Sequence, residues 1–317
     1  MQARATDALP LVSILINNYN YGHFLAEAID SVLNQTYPNK EVVVVDDGST
    51  DHSREIIAQY GDAIVSVLKP NGGQASAFNA GFAKSLGEII CFLDADDLFV
   101  SYKVAAVVKA LKNPQESAWC FHPLELVDLT KKPLTALEPS HGNVSTQLCD
   151  VRSGMRQGGK GLRQKMPFSL PATSGLCFTR TLLEQILPMP EAEGIALGDT
   201  YLQFTAIALA QGFAIDRKLA LQRVHASNLY TRNANRKAAT ARIFCLTAFW
   251  MWTKFPFMAE FAHKIFAAGL SNYWHVNQRD SKTEEIVGKY FTALPLKESM
   301  KIRLRSLYYY FTTNHVE

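Results

Sequence analysis

Four short apolar runs in the first hundred residues are each followed by a stretch of helical periodicity, and this alternation constrains the fold more than any other feature. The runs "LVSILIN" (11–17), "EVVVVDD" (41–47), "IVSVLK" (64–69) and "EIICFL" (88–93) are brief and rich in β-branched residues, as strands are. After the first, Phe24, Ala28 and Val32, and likewise Leu25, Ile29 and Leu33, recur at spacing four. Asp51 to Tyr60, with an N-cap at Ser49 or Asp51, then Gln74 to Ser85 and Tyr102 to Lys112, also read as helices. Strand alternating with helix predicts crossover units. The fold class is therefore α/β, a largely parallel sheet covered on both faces.

The rhythm weakens after Pro114. "AWCFHPLELVD" predicts one more strand, and residues 131–170 a long, turn-rich connection. Within it "RSGMRQGGKGLRQK" (152–165) holds five basic residues and four glycines. It reads either as a disordered loop or as a mobile cover over an anionic ligand. Helices are expected at Thr179–Leu187 and Asp199–Gln211, then a strand "FAIDRKLALQRV" leading to "HASN" (225–228). Beyond Arg232 the pattern is helical and aromatic, which divides the chain into residues 1–231 and a helical extension, 232–317.

Charge follows the same division. The net charge is +3, but from Arg232 onward 13 Lys and Arg face 6 Asp and Glu, so the first 231 residues are net acidic. The five cysteines are scattered, with no C-x-x-C pair. That disfavours a disulfide framework or structural zinc and favours a reducing compartment. The first ten residues lack the apolar core of a signal peptide, and no run of about 18 apolar residues occurs. The expected compartment is the cytoplasm. In the extension, 244–257 and "KIRLRSLYYYF" (301–311) mix aromatic and basic residues. This predicts either peripheral contact with the inner face of a membrane or packing on the catalytic domain or a second copy. Nucleic acid is not an expected partner, since the bases belong to no recognisable module.

Polar residues follow each of the four strands, and in open α/β sheets ligands bind beyond the carboxyl ends of the strands. Capping explains one Asp or Asn at each place. It does not explain Asp94, Asp96 and Asp97 together behind "EIICFL", where like charges repel. Asp-Ala-Asp on a strand end offers oxygen donors to a hard cation, Mg²⁺ or Mn²⁺, which completes its shell with water and phosphate oxygens. No G-x-G-x-x-G follows the first strand and no G-x-x-x-x-G-K-[ST] is present, which excludes the common dinucleotide and P-loop readings.

Four segments, "PLVSILINNYNYGHFLAEAIDSVLNQTYPNKEVVVVDDGSTD", "NGGQASAFNAGFAKSLGEIICFLDADD", "TSGLCFTRTLLEQILPMPE" and "RVHASNLY", together resemble the family 2 glycosyltransferases. The resemblance spans roughly residues 10–230. It implies the GT-A fold and inverting transfer of a sugar, hexosyl or N-acetylhexosaminyl, from a nucleoside diphosphate sugar, here a UDP-sugar. The acceptor implied is a glycan or a lipid-linked molecule of surface polysaccharide synthesis. Asn17 and Tyr19 match positions lining the nucleobase, and Asp46 and Asp47 those at base or ribose. Asn71, Gln74 and Asn79 match contacts to nucleotide or sugar. Asp94 and Asp96 match the D-x-D, Asp96 as metal ligand and Asp94 at both metal and donor, while Asp97 either supports these ligands from behind or, the favoured reading, is an N-cap. Asp199, in "ALGDTYLQF", matches the catalytic base, and its other reading is a helix cap. His225 matches a residue reaching the metal or diphosphate, with Asn228 sharing its site. One departure is Phe78, where many relatives carry Arg before Asn79. Charge compensation then falls to the metal, to Lys69 or to the basic loop. The alternatives are a catalytically silent sugar-nucleotide-binding or scaffold subunit and a nucleotidyltransferase. The latter usually carries a glycine-rich basic loop where this chain has "NNYNYG".

Overall fold

The computed structural model describes residues 9–134, 144–160, 166–191, 197–225, 236–276 and 281–312. The expected alternation is present: β1 (Val12–Asn18), α1 (Gly22–Leu33), β2 (Lys40–Asp47), α2 (Ser53–Gln59), β3 (Val65–Lys69), α3 (Gly73–Lys84) and β4 (Ile89–Asp94). These four strands run parallel in the order β3-β2-β1-β4. Asn17 lies opposite Asp94, and Asn18 opposite Asp46. The polar strand ends thus form one row at one edge of the sheet.

Past β4 the chain is less regular. It forms β5 (Leu98–Phe99), α4 (Lys103–Ala110), β6 (Trp119–Phe121), β7 (Leu124–Val127), β8 (Thr146–Cys149) and α5 (Arg152–Arg156). Then come β9 (Leu176–Thr179), α6 (Arg180–Ile186), α7 (Asp199–Leu209), β10 (Gly212–Ile215) and β11 (Ala220–Arg223). The sheet continues from β4 as β9-β6-β10-β8, with β9 and β8 antiparallel to their neighbours. A second sheet holds β5-β11-β7.

Two single expected strands are each broken in two, and the halves enter different sheets. "AWCFHPLELVD" divides into β6 and β7 at His122–Pro123, where proline has no N–H to give a ladder. "FAIDRKLALQRV" divides into β10 and β11 at Asp216–Leu219. Because β10 pairs with β6 and β11 with β7, both in parallel, the two chains turn the same corner side by side. That corner carries residue 225 to the row of polar strand ends.

Side-chain alternation sends Ile14, Ile16, Val44 and Leu93 to one face, under α1, α2 and α4. Leu15, Val43, Val45 and Phe92 go to the other, under α3. This second face is continuous with the helices after residue 236: α8 (Arg236–Lys254), α9 (Ala259–Trp274), α10 (Ser281–Thr292) and α11 (Leu296–Thr312). Cys245, Met251, Phe266 and Tyr290 join that core, with the Phe266 and Tyr290 rings stacked at 3.7 Å. The expected boundary near residue 231 lies outside the described residues. The long connection contains β8 and α5. Met155 is fully buried, and Lys264 donates to the carbonyl of Gly158 (2.7 Å). Residues 152–160 are therefore packed on α9, and 161–165 lie outside the described residues. All five cysteines are reduced and buried. No described helix is long and apolar enough to cross a membrane.

Phe92 is fully buried, tilted against Phe78 at 4.7 Å and edge-on to Phe178 at 5.9 Å. Phe92→Ala is expected to lower unfolding stability by about 3–5 kcal/mol in urea titrations. Leu86→Ala, at a side chain 75% exposed, should change it by less than about 0.5 kcal/mol.

Candidate active site

At the end of β1, Asn20 adopts a left-handed conformation (φ 58°), one that Asn tolerates. Its Oδ1 accepts from the backbone N–H of Thr50 (2.7 Å), tying the loop after β1 to the loop after β2. Asp51 adds a second tie by accepting from Gly22 N–H (2.9 Å). Asp46 is fully buried and accepts from Asn18 Nδ2 (3.0 Å) and Arg54 Nε (2.9 Å). Asp47 accepts from Lys69 and from the N–H groups of Gly72 (2.9 Å) and Gly73 (2.7 Å). Asn71 donates to the carbonyl of Asp47 (3.0 Å). Gly48, at φ 77°, makes this closeness feasible, since a Cβ there would lie 2.5 Å from Asn71 N. Asp46, Asp47 and Asn71 thus hold the loops at the ends of β2 and β3. Lys69, expected as a source of compensating charge, is engaged by Asp47.

The acidic tip is assembled from three elements. Asp94 ends β4, its N–H donating to Ser174 Oγ (3.2 Å), and Gln74 of α3 donates to its carboxylate (3.4 Å) and to Thr173 Oγ1 (3.3 Å). Gly198 admits Gln74 to this position, because a Cβ there would meet Gln74 Oε1 at 2.1 Å. The next residue, Asp199, opens α7, with Gly198 as the N-cap. Asp199 Oδ1 accepts from the N–H of Thr200 (2.6 Å). Asp96 is buried, and His225 Nε2 lies 3.1 Å from its Oδ2. The His225 ring sits 4.8 Å from Phe24 and edge-on to Tyr21 at 5.7 Å.

Asp97 departs from expectation. The N-cap of α4 is Tyr102. Asp97 is instead buried between the two sheets, accepting from Ser174 Oγ (2.6 Å) and from the N–H of Arg223 in β11 (3.1 Å). Asn79 lies further along α3 and is held away from this group. Its amide donates to the carbonyl of Met189 (2.8 Å) and to Glu191, and accepts from Met189 N–H (2.8 Å). Phe78 is wholly in the core. Tyr19 is 48% exposed at the rim. Both amide atoms of Asn17 are shielded from water and without a hydrogen-bond partner. Asn228 lies outside the described residues.

Crowding shows in the proton affinities. Burial pushes the Asp94 carboxyl well above the usual range, and the charges of Asp96, Asp97 and Asp199 push it the same way. Burial likewise raises Asp199, against the hydrogen bonds from Thr200. Burial and Asp96 push Asp97 up to about 8. Tyr21 is raised by burial and then by Asp96, Asp94 and Asp97, and its ring lies edge-on to His225, the neighbour of Asp96. Such a concentration of carboxylates in a low-dielectric crevice suits a divalent cation. Among the described residues, no three His, Cys, Asp or Glu side chains are grouped so as to hold a metal ion by themselves. A hard cation held by one or two carboxylates and substrate oxygens needs no such group.

Sequence reading missed Tyr21, Thr173 and Ser174. Tyr21 stands two residues from Tyr19 in "NNYNYG", and only the turn at Asn20 decides which ring faces the carboxylates. Thr173 and Ser174 open "TSGLCF", where nothing in the spacing tells a turn residue from a site residue.

Comparison with known proteins bears on the family and the fold. The family model for glycosyl transferase family 2 matches residues 13–163. An uncharacterised glycosyltransferase of Nostoc sp. is 34% identical over 221 residues, 68% of this chain and 66% of that protein. One of Rickettsia typhi is 40% identical over 133 residues, 41% of each chain. The chain thus spans about two thirds of the first relative's length and about two fifths of the second's. Among solved structures, S. aureus TarS 1–349 in complex with UDP-GlcNAc is similar with a TM-score of 0.61 at 16% identity, covering 94% of this chain and 89% of that one. The fold is thus the GT-A type, an α/β architecture with a mostly parallel sheet. The chain belongs to glycosyl transferase family 2.

The raised Asp97 carboxyl fixes a sign. Its ordinary value is 3.8, and in the folded protein it holds its proton up to about 8. Above pH 4 the unfolded chain ionises while the folded one resists, so this group's contribution to stability falls as pH rises from about 4 to about 8. In metal-free buffer, Asp97→Asn is expected to flatten the stability-against-pH curve in that window relative to wild type. Parallel curves from urea melts at several pH values would contradict it.

Proposed function

We propose that this protein is a metal-dependent, inverting glycosyltransferase. It takes its sugar from a nucleoside diphosphate sugar, a UDP-sugar, and passes it to a glycan or lipid-linked acceptor of surface polysaccharide synthesis. The observation that carries the reading is the meeting of Asp94, Asp96 and His225 with Asp199 and Gln74 beyond the carboxyl ends of parallel strands. The UDP assignment draws on S. aureus TarS, solved with UDP-GlcNAc and with UDP on a similar fold. Asp94 and Asp96, with His225 beside Asp96, would hold a Mg²⁺ or Mn²⁺. Bound there, the cation offsets the carboxylate charge and that of the diphosphate.

Asn17 supplies a buried amide with unmet hydrogen-bonding capacity, which a polar edge of the nucleotide would satisfy. Tyr19 at the rim offers a ring face to the base. Asp199, raised by burial, is a stronger proton acceptor than an ordinary carboxylate. It would take the proton of the acceptor hydroxyl as that oxygen attacks the anomeric carbon opposite the leaving diphosphate.

Calorimetric titration of UDP, GDP, CDP and dTDP, each with and without Mn²⁺, tests the reading. UDP is expected to bind only with the metal, and Asp96→Ala to lose that binding. Asp199→Asn should keep binding and slow transfer, or hydrolysis of the sugar nucleotide, by about 10²–10⁴-fold. Metal-independent binding, or full activity in Asp199→Asn, would sink the mechanism.

A further inference from the structure

Helix α11 is buried along one face and exposes an apolar stripe along the other. Ser299, Ile302 and Ser306 are buried against the helices beneath. On the opposite side Leu296, Met300, Leu304, Leu307, Tyr308 and Phe311 recur at spacings of three and four and are 43–77% exposed. They form one continuous stripe along the helix. Isolated exposed apolar residues are ordinary, but a contiguous stripe marks a surface that meets something.

Charge says what that is. At 100° per residue, Arg303 lies along one border of the stripe and Lys301 and Arg305 along the other, with Lys297 at the N-terminal end. Glu298 is the helix's single acid, and it already pairs with Lys301 (2.7 Å), while Arg305 pairs with Glu260 of α9 (3.3 Å). A second copy docking its own α11 here would set like charges against one another. An anionic surface would not. Beside the stripe, a cavity of about 440 Å³ between α9, α10 and α11 is lined by Leu270, Val287 and Phe291. Arg303, stacked over Phe291 at 4.0 Å, lines it too. Glu284 lines the same cavity, so its charge is mixed, and it is the stripe and its borders that point to an anionic partner.

We propose that α11 lies in the interface of a membrane bearing anionic phospholipid. The stripe enters the acyl boundary, Tyr308 sits at headgroup depth, and Lys297 meets lipid phosphates, joined by Lys301 and Arg303 as they exchange Glu298 and Phe291 for phosphate. This surface belongs to residues outside the crevice, so it stands or falls apart from the transferase reading.

Flotation of the full chain with phosphatidylcholine vesicles, with and without phosphatidylglycerol, tests it. Wild type should float with anionic vesicles and stay behind with neutral ones. L304E/F311E and K297A/K301A should each lower the partition coefficient by about tenfold or more. Their thermal melts should be unchanged, since all four positions are exposed. Asp199→Asn should bind vesicles like wild type, which separates this result from any loss of transfer. Wild type that ignores anionic vesicles, that binds neutral ones equally well, or whose variants bind undiminished overturns the proposal. So would a dimer in sedimentation that L304E/F311E converts to monomer without vesicle binding, which would assign the stripe to a second copy.

Discussion

The buried carboxylate of Asp97 is the joint on which the candidate site depends. One oxygen receives the Ser174 hydroxyl, from the turn that leads into β9. The other receives the Arg223 N–H of β11. Two segments far apart in sequence are thereby fixed to the end of β4. A carboxyl stripped of water is costly, and these two hydrogen bonds offset part of that cost. The Arg223 guanidinium adds a third anchor, reaching Glu27 at 2.7 Å and lying 4.9 Å over Phe24. Two residues after Arg223 comes His225. Its place beside Asp96 follows from where β11 is docked.

Around that joint the crevice is built before any ligand arrives. The loops after β1, β2 and β3 are tied by Asn20 to Thr50, by Asp51 to Gly22 and by Asp47 to Gly72 and Gly73. These bonds use most of the polar residues at the strand ends. What they leave is concentrated at β4 and α7, where the buried Asp94 carboxyl is raised by the charges of Asp96 and Asp199. The surroundings, Asn17 excepted, are therefore held by hydrogen bonds, while the centre is electrostatically strained. Such an arrangement favours a ligand that brings positive charge, and it keeps the donor groups in place without reorganisation when one binds.

The helices after residue 236 share a core with the sheet. Residues from Leu15 to Ile302 form one apolar cluster, with α8 and α9 closing the face left open beside α3. The glycine-rich basic segment is drawn into the same packing. Gly158 and Gly159, both at positive φ, let it pass closely over Lys264 and Phe261. Its first nine residues thus serve the junction between α5 and α9. Lys69 and residues 152–160 are therefore committed to these local contacts, while 161–165, the rest of the expected basic loop, lie outside the described residues.

Local pattern alone determined the first four strands, their helices and the row of polar residues at their ends. β-Branched runs and spacing-four repeats are properties of contiguous residues, and a parallel sheet follows from their alternation. The motifs likewise named Asp94, Asp96, Asp199, Gln74 and His225, which the fold brings together. What only the tertiary structure decided is how each polar residue is used. Asp97 docks two sheets rather than capping a helix. Asn79 holds the segment at Met189 rather than facing the carboxylates, and Tyr21, not Tyr19, lies against the acidic cluster. The breaks that separate β6 from β7 and β10 from β11 fall at local signals, Pro123 and the charged run Asp216–Lys218, but which sheet each half joins was hidden. Each of these depends on partners tens of residues or more away in the chain, and a one-dimensional pattern holds no record of which distant group will be there to accept or donate a hydrogen bond.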